Sequence, residues 1–145
     1  MQASEGYPMS FERPDDPAWD ELLAAAWTAR DHAHAPYSGF RVGAALKWAR
    51  GIQAGCNVEN AAYPLTVCAE RNAIGAAVAQ GLVDGGLVAL AVVTEAELLT
   101  PPCGGCRQVM AEFAQDLPVL LANRRSRALH RLSDLLPHAF TGRNL

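Results

Sequence analysis

Two stretches, Cys68-Ala69-Glu70 and Pro102-Cys103-Gly104-Gly105-Cys106, decide how the rest of the chain is arranged. The first offers a cysteine sulfur beside a carboxylate, and the second offers two sulfurs in a C-x-x-C pair. Three thiolates can hold one Zn²⁺ and leave the fourth position of its tetrahedron to water, as catalytic zinc sites do. The two stretches therefore predict a zinc hydrolase in which Glu70 carries protons.

The spacing within each stretch predicts the start of a helix. Successive helical residues turn by about 100°, so Cys68 and Glu70 can face one metal only where a helix begins. We therefore expect a helix from Cys68 to about Gln80. The C-x-x-C pair places both of its sulfurs on one side of a first helical turn, which predicts another helix from Gly104 to about Gln115.

Charge sets a further requirement on this site. Three thiolates around one Zn²⁺ leave a net negative centre, which makes a bound water harder to ionise. Two helix N-termini would supply partial positive charge to the sulfurs, and Arg71 is placed to donate hydrogen bonds to a thiolate. The sequence thus predicts Arg71 as a supporting residue behind the metal ligands.

Composition and charge restrict the class of protein. The chain has 145 residues, half of them hydrophobic, which suits one domain with a substantial core. Fifteen Asp and Glu against twelve Lys and Arg give a formal net charge of -3, so the basic surplus of a nucleic-acid-binding protein is missing. With no membrane-length apolar run and no secretory leader, we expect a cytoplasmic protein with neither a membrane nor a nucleic-acid partner. Residues 1–15 mix Gly, Pro and charge and predict a flexible arm, followed by a single domain over residues 16–145.

Hydrophobic periodicity predicts the remaining elements. Asp16 and Pro17 suit a helix N-terminus, and the helix is expected to continue to about Ala33. Apolar runs predict four strands at Val42–Trp48, Ile52–Val58, Leu87–Thr94 and Pro118–Ala122. Arginines 124, 125, 127 and 131 are interpreted as a solvated turn and helix face, and a short last helix is expected near residues 133–137. The alternation of strands and helices predicts an α/β domain of three layers.

Two polar residues stand out near the end of the second predicted strand. Asn57 and Glu59 are two residues apart, so the strand would direct both side chains to the same face. There they could hold a sugar hydroxyl together. By chemistry alone the other interpretation is the better one, with Asn57 starting a turn and Glu59 solvated.

Two other classes of protein remain compatible with the cysteines. Cys56 could close the metal site as a fourth thiolate, which would give a structural zinc module without catalysis. Cys103 and Cys106 could instead form a thiol redox pair, because C-x-x-C also occurs in redox proteins. Neither alternative gives Glu70 a function, and we therefore favour catalytic zinc.

Several motifs together resemble the short, all-cysteine form of cytidine deaminase. They are Tyr37-Ser38-Gly39-Phe40-Arg41-Val42-Gly43-Ala44-Ala45-Leu46, Gly55-Cys56-Asn57-Val58-Glu59-Asn60-Ala61, Cys68-Ala69-Glu70-Arg71, Pro102-Cys103-Gly104-Gly105-Cys106-Arg107-Gln108 and Asp134-Leu135-Leu136-Pro137. The resemblance spans roughly Asp16 to Phe140, nearly the whole predicted domain. Tyr63-Pro64-Leu65 departs from the family, which has a small residue where Pro64 stands, and this bears on loop conformation more than on chemistry.

The resemblance implies a three-layer α/β/α cytidine deaminase-like fold with a mixed, roughly five-stranded central sheet. It also implies a homotetramer that converts cytidine and deoxycytidine to the corresponding uridines in pyrimidine salvage, with release of ammonia. Each chain would use one Zn²⁺ to activate a hydroxide, with a glutamate acting in turn as base and acid. The matching positions are the zinc ligands Cys68, Cys103 and Cys106, the proton shuttle Glu70, and the substrate contacts Phe40, Asn57, Glu59, Ala69, Tyr63 and Phe140.

The same resemblance implies how each substrate contact would act. Asn57 and Glu59 would hold the ribose 3′-hydroxyl, Phe40 would lie against the pyrimidine, and the backbone at Ala69 would contact the base. Phe140 would reach the site of a neighbouring subunit, and Tyr63 would do likewise. Another aminated nucleoside, such as a nucleoside antibiotic, or a cytosine in a polynucleotide remains an alternative substrate, although the acidic charge argues against the polynucleotide.

Overall fold

The structure is a computed structural model, and it describes residues 10–145. Most of the predicted flexible arm, residues 1–9, lies outside the described residues. Its last residues contact the domain, since the ring of Phe11 packs edge-on against Trp19 with centroids 4.8 Å apart. The indole Nε1 of Trp19 also donates a hydrogen bond to the carbonyl of Arg13 at 3.0 Å.

A five-stranded mixed sheet forms the centre of the domain, in the order β2-β1-β3-β4-β5. The strands are β1 (Gly43–Trp48), β2 (Gly51–Cys56), β3 (Leu87–Val93), β4 (Pro118–Ala122) and β5 (Arg127–Arg131). β3 and β4 pair in parallel, and the other three neighbouring pairs are antiparallel. The mixed, five-stranded sheet that the family resemblance implies is confirmed.

Helices cover both faces of this sheet. They are α1 (Trp19–Asp31), α2 (Ala69–Ala79), α3 (Gly104–Phe113) and the short α4 (Leu132–Leu135). Alternate residues along β1 divide the core, because Leu46 belongs to the cluster that includes α2 and α3 residues while Ala45 belongs to the cluster of α1. The three-layer arrangement of helix, sheet and helix is therefore confirmed. Within residues 10–145, no helix combines the length and the apolar character that crossing a bilayer would take.

Strand register explains how the two cysteine stretches meet. Gly43, the first residue of β1, pairs with Cys56 at the end of β2 and with Val93 at the end of β3. The chain therefore leaves both β2 and β3 at the same edge of the sheet. The segment after β2 leads into α2 and the segment after β3 leads into α3, so both helices begin at that edge.

Two predictions from local pattern are wrong. Arg127 and Arg131 lie on β5, which pairs antiparallel with β4, and not on a helix face. An edge strand tolerates these charges because its outer edge meets solvent, where Arg131 pairs with Asp116 at 2.8 Å. The second predicted strand also runs too far, because β2 ends at Cys56 and leaves Asn57 and Glu59 beyond it.

Candidate metal centre and its cavity

Three cysteine sulfurs come together at the starts of two helices. Cys68 immediately precedes α2, and Cys103 immediately precedes α3, whose first turn contains Cys106. All three Sγ atoms lie within 4.8 Å of one another. The Sγ atom of Cys103 is 3.9 Å from that of Cys68 and 3.5 Å from that of Cys106. The predicted helix starts and the predicted cluster are both confirmed.

Hydrogen bonds and charge already favour a thiolate at this centre. The pKa of the Cys68 thiol falls to about 5, mainly because it is hydrogen-bonded to Cys106 and also because Arg71 donates to it. The Nη2 atom of Arg71 is 3.4 Å from the Cys68 sulfur. The same thiol–thiol hydrogen bond raises the pKa of Cys106, which acts as the protonated partner.

The cluster has the donor set of a catalytic zinc site. Three sulfurs suit Zn²⁺, and a tetrahedral ion held by them would keep a fourth position for water or substrate. Two helix N-termini and one guanidinium offset the negative charge of the ligands, so the surroundings also fit the metal. Within residues 10–145, Cys56 is not part of the metal-capable cluster. This removes the fourth thiolate on which the structural-zinc alternative depends.

Glu70 lies in the first turn of α2, buried beside the sulfurs. Its Oε2 atom is 3.7 Å from the Sγ atom of Cys106. Burial raises the pKa of this carboxyl, and the nearby Cys68 thiolate raises it further. A carboxyl placed beside a metal centre can serve both as a proton acceptor and as a proton donor.

A cavity of about 330 Å³ opens beside the cluster. It is lined by Ser38, Phe40, Val42, Asn57, Glu59, Tyr63, Thr66, Cys68, Ala69, Glu70, Thr100, Pro101 and Cys103. A larger surface depression of about 700 Å³ lies elsewhere, beside Asn123 and Arg124, and none of the three cysteines lines it. We place the functional site in the smaller cavity because Cys68, Cys103 and the buried Glu70 line it.

Asn57 and Glu59 both line the cavity, and both also hold the loop that follows α1. The amide of Asn57 accepts from the N–H of Val42 and donates to the carbonyl of Phe40, each at 2.8 Å. Glu59 accepts hydrogen bonds from Ser38, and these lower the pKa of its carboxyl, the side-chain hydroxyl having the largest effect. The interpretation of Glu59 as a merely solvated side chain is therefore wrong, since the residue is buried and hydrogen-bonded.

Three of the four apolar residues predicted to contact the substrate line the cavity, and the fourth does not. Phe40 and Tyr63 line the cavity, although 44% and 74% of their surfaces are exposed. Ala69 is fully buried and follows Cys68 directly at the cavity wall. Phe140 does not line the cavity of its own chain, and its carbonyl accepts a hydrogen bond from Gln108 Nε2 at 2.7 Å.

Sequence reasoning missed the small polar residues of the cavity wall. Ser38, Thr66 and Thr100 all line the cavity, and none of them was among the candidate residues. For Ser38 a signal was available, because it lies in the same turn-rich motif as Phe40. Thr66 and Thr100 carry no such signal, because their positions depend on how the chain packs between β2 and α2 and between β3 and α3.

Comparison with known proteins gives a consistent family. The family model described as the cytidine and deoxycytidylate deaminase zinc-binding region matches residues 18–121. The cytidine deaminase of Halalkalibacterium halodurans is 46% identical over 127 residues, which cover 86% of this chain and 95% of that protein. The cytidine deaminase of Mycobacterium tuberculosis is 42% identical over 126 residues, covering 86% of this chain and 91% of the relative.

Solved structures of similar fold are cytidine deaminases as well. The crystal structure of cytidine deaminase from Burkholderia pseudomallei superimposes with a TM-score of 0.78 at 48% identity, covering 83% of this chain and 98% of the other. The crystal structure of cytidine deaminase from Mycobacterium tuberculosis gives a TM-score of 0.73 at 41% identity, covering 86% and 98% of the two chains.

Proposed function

Because the chain belongs to the cytidine and deoxycytidylate deaminase family, we propose that it removes the amino group of cytidine and deoxycytidine by hydrolysis. The products are ammonia and the corresponding uridine or deoxyuridine. Such a reaction belongs to pyrimidine salvage, and we place it in the cytoplasm. The observation that carries the proposal is the buried carboxyl of Glu70 beside the three-cysteine cluster, at the wall of a nucleoside-sized cavity.

One zinc ion per chain would be held by Cys68, Cys103 and Cys106. Zinc bound there supplies a Lewis acid that lowers the pKa of water, so that water can attack at neutral pH. Arg71 keeps the Cys68 sulfur in its thiolate form through the 3.4 Å hydrogen bond. Cys106 and Glu70 are both buried at this centre, where charge–charge interactions are stronger than in water.

Glu70 performs the proton transfers. Its carboxylate accepts a proton from the attacking water as the water adds to C4 of the pyrimidine. The same carboxyl delivers that proton to N3, then takes the proton of the hydroxyl group now on C4 and passes it to the amine, so that the C4–N bond breaks, a C4 carbonyl forms and ammonia leaves. The raised pKa of Glu70 suits this double role, because a carboxyl that holds a proton more firmly than usual is a better base in the first step.

The cavity walls supply the substrate contacts. Phe40 offers an apolar ring to the pyrimidine, and the backbone at Ala69 contacts the base. Asn57 and Glu59 face the same cavity with polar groups and are assigned to the 3′-hydroxyl of the sugar. A site that combines apolar walls with a few fixed polar groups is typical of small-molecule recognition.

Subunit assembly is also part of the proposal. Phe140 and Tyr63 are largely exposed, with 59% and 74% of their surfaces accessible in the isolated chain. A homotetramer would cover such aromatic side chains and let Phe140 complete a neighbour's cavity. A chain ending before Ala139 should then keep its zinc but bind substrate more weakly than a control chain that ends after Phe140. Equal KM values for the two truncated chains would contradict the shared site.

The central test measures turnover and metal together. Loss of ultraviolet absorbance is followed after the purified protein is mixed with cytidine, alongside Glu70→Gln, and zinc per chain is determined for both. Glutamine keeps the shape of the side chain but cannot carry the proton, so we expect zinc in both proteins and turnover in the parent only. If the parent contains zinc but converts neither cytidine nor deoxycytidine, the proposed substrate is wrong. A parent without zinc would overturn the assignment of the ligands.

A further inference from the structure

The hydroxyl of Ser38 connects two of the proposed substrate contacts. Its Oγ atom donates a hydrogen bond to Glu59 Oε2 at 2.5 Å and accepts one from the N–H of Phe40 at 2.9 Å. All three residues line the cavity. One hydroxyl group therefore links the carboxylate of Glu59 to the backbone of Phe40 at the cavity wall.

The hydrogen bonds of Glu59 show what the hydroxyl contributes. Oε1 accepts from the N–H groups of Tyr37 at 2.9 Å and Ser38 at 3.2 Å, and both donors belong to the backbone. Oε2 is held within the chain by the Ser38 hydroxyl. Without that bond, the carboxylate would stay attached through Oε1 but its second oxygen could swing about that anchor.

Counting acceptor positions indicates which ligand group the carboxylate can take. An ionised carboxylate offers about four lone-pair positions, and the loop occupies three of them. The remaining position, on Oε2, can only accept a hydrogen bond. A ligand group that meets it must be a donor such as a hydroxyl.

We propose that Ser38 is a positioning residue, which fixes Oε2 of Glu59 so that its free acceptor position meets a sugar hydroxyl of the nucleoside. The inference rests on the proposed function. It assigns Ser38 to the recognition of the sugar and not to the chemical step at the base. The hydroxyl thus contributes to selection of nucleosides whose sugar carries a 3′-hydroxyl over those that lack it.

A purely structural role for Ser38 predicts something different. The bond from the Phe40 N–H to the Ser38 hydroxyl closes a local turn of a kind common at serine. If the hydroxyl only holds this turn, its removal would displace Phe40 and weaken binding of every cytosine nucleoside alike. The two roles therefore differ in how the effect depends on the sugar.

The test compares Ser38→Ala with the parent on three nucleosides: cytidine, 2′-deoxycytidine and 2′,3′-dideoxycytidine, which lacks the 3′-hydroxyl. Loss of a hydrogen bond that orients a charged acceptor should raise KM for the first two by about tenfold. The change in kcat should stay within about twofold, and KM for the dideoxynucleoside should change by no more than about twofold. Ser38→Thr keeps the hydroxyl at an exposed position and should restore the parent values.

Two further variants complete the comparison. Ser126→Ala removes a hydroxyl that bonds Asn123 Oδ1 in an exposed turn away from the cavity, and it should leave all three nucleosides unaffected. If Ser38→Ala fails to fold, as judged by its thermal midpoint, Ser38→Cys replaces it, because a thiol fills the space but donates weakly. For Ser38→Cys we likewise expect a higher KM for cytidine and 2′-deoxycytidine but not for 2′,3′-dideoxycytidine.

Each outcome decides between the claims. A parent that is inactive on all three nucleosides would overturn the proposed function and this inference with it. An active parent whose Ser38 variants show unchanged KM values, or an equal rise for all three nucleosides, would overturn this inference alone. A rise confined to the two nucleosides with a 3′-hydroxyl, reversed in Ser38→Thr, would establish it.

Discussion

Gly55 on β2 offers a direct test of how the sheet positions the metal centre. A Cβ added at this residue would lie 2.6 Å from the backbone N of Ala73 and 2.8 Å from the carbonyl O of Ala69. Both atoms belong to the backbone of α2, so no side-chain rotation can relieve the contact. For the shorter distance to reach an ordinary 3.4 Å, α2 must retreat from the sheet by about 0.8 Å.

Gly55→Ala should therefore destabilise the domain. Overpacking of a close contact costs about 1–3 kcal/mol, and we expect the upper half of that range because rigid backbone lies on both sides. With a urea m-value of about 2 kcal/mol/M, the unfolding midpoint should fall by about 1–1.5 M at fixed zinc concentration. Since Ala69 lies between Cys68 and Glu70, the same retreat should also weaken zinc binding.

Gly75→Ala is the matched control on the same helix. A Cβ at Gly75 meets nothing within 4 Å, so the substitution should stabilise α2 by about 0.5–1 kcal/mol through helix propensity alone. Midpoints are measured by circular dichroism, and zinc affinity by competition with a coloured chelator. If Gly55→Ala unfolds at the same urea concentration as the parent, the close packing of β2 on α2 does not constrain the metal centre as argued.

Three further predictions concern the metal ligands and the charged groups. Cys103→Ala should lose zinc, whereas Cys56→Ala should keep it. Metal analysis of the purified proteins tests this prediction. Loss of zinc from Cys56→Ala would restore the structural-zinc alternative. Arg71→Gln removes the hydrogen-bond donor to the Cys68 thiolate and should weaken zinc binding by about 10-fold or more. The zinc affinity is measured by chelator competition. An unchanged affinity would refute a supporting role for the guanidinium. Asp116 is partly desolvated, which alone would raise its pKa, but hydrogen bonds from Ser133 and Arg131 prevail and hold the pKa at about 2. Because this folded-state pKa is depressed, the stabilisation is present above about pH 4 and is lost as pH falls through about 2. The difference in unfolding free energy between the parent and Asp116→Asn should shrink over that interval, by no more than about 1 kcal/mol because the pair is exposed to solvent. If the difference in unfolding free energy between the two proteins does not change with pH, the depressed pKa of Asp116 does not contribute to stability as argued.

Local pattern was sufficient for much of the fold. The strand at Pro118–Ala122 and the strand beginning at Leu87 were predicted closely, because short apolar runs between turn residues leave few alternatives. Arg127–Arg131 was misread because alternation of arginine with apolar residues is weak in so short a segment. Only pairing with β4 makes it a strand, and that pairing is a contact between distant parts of the chain.

For the metal centre, too, some features follow from local sequence and others only from the tertiary structure. Residue type and short spacing by themselves determined which sulfurs can bind zinc and where α2 and α3 must begin, because ligand chemistry and helix geometry are local properties. Tertiary structure alone decided that Cys68 meets Cys103, through the register that ends β2 and β3 at one edge of the sheet. It also decided that Cys56 stays outside the cluster and that Ser38 holds Glu59. These contacts join residues far apart in the chain, and no periodicity in a sequence encodes the distance between them.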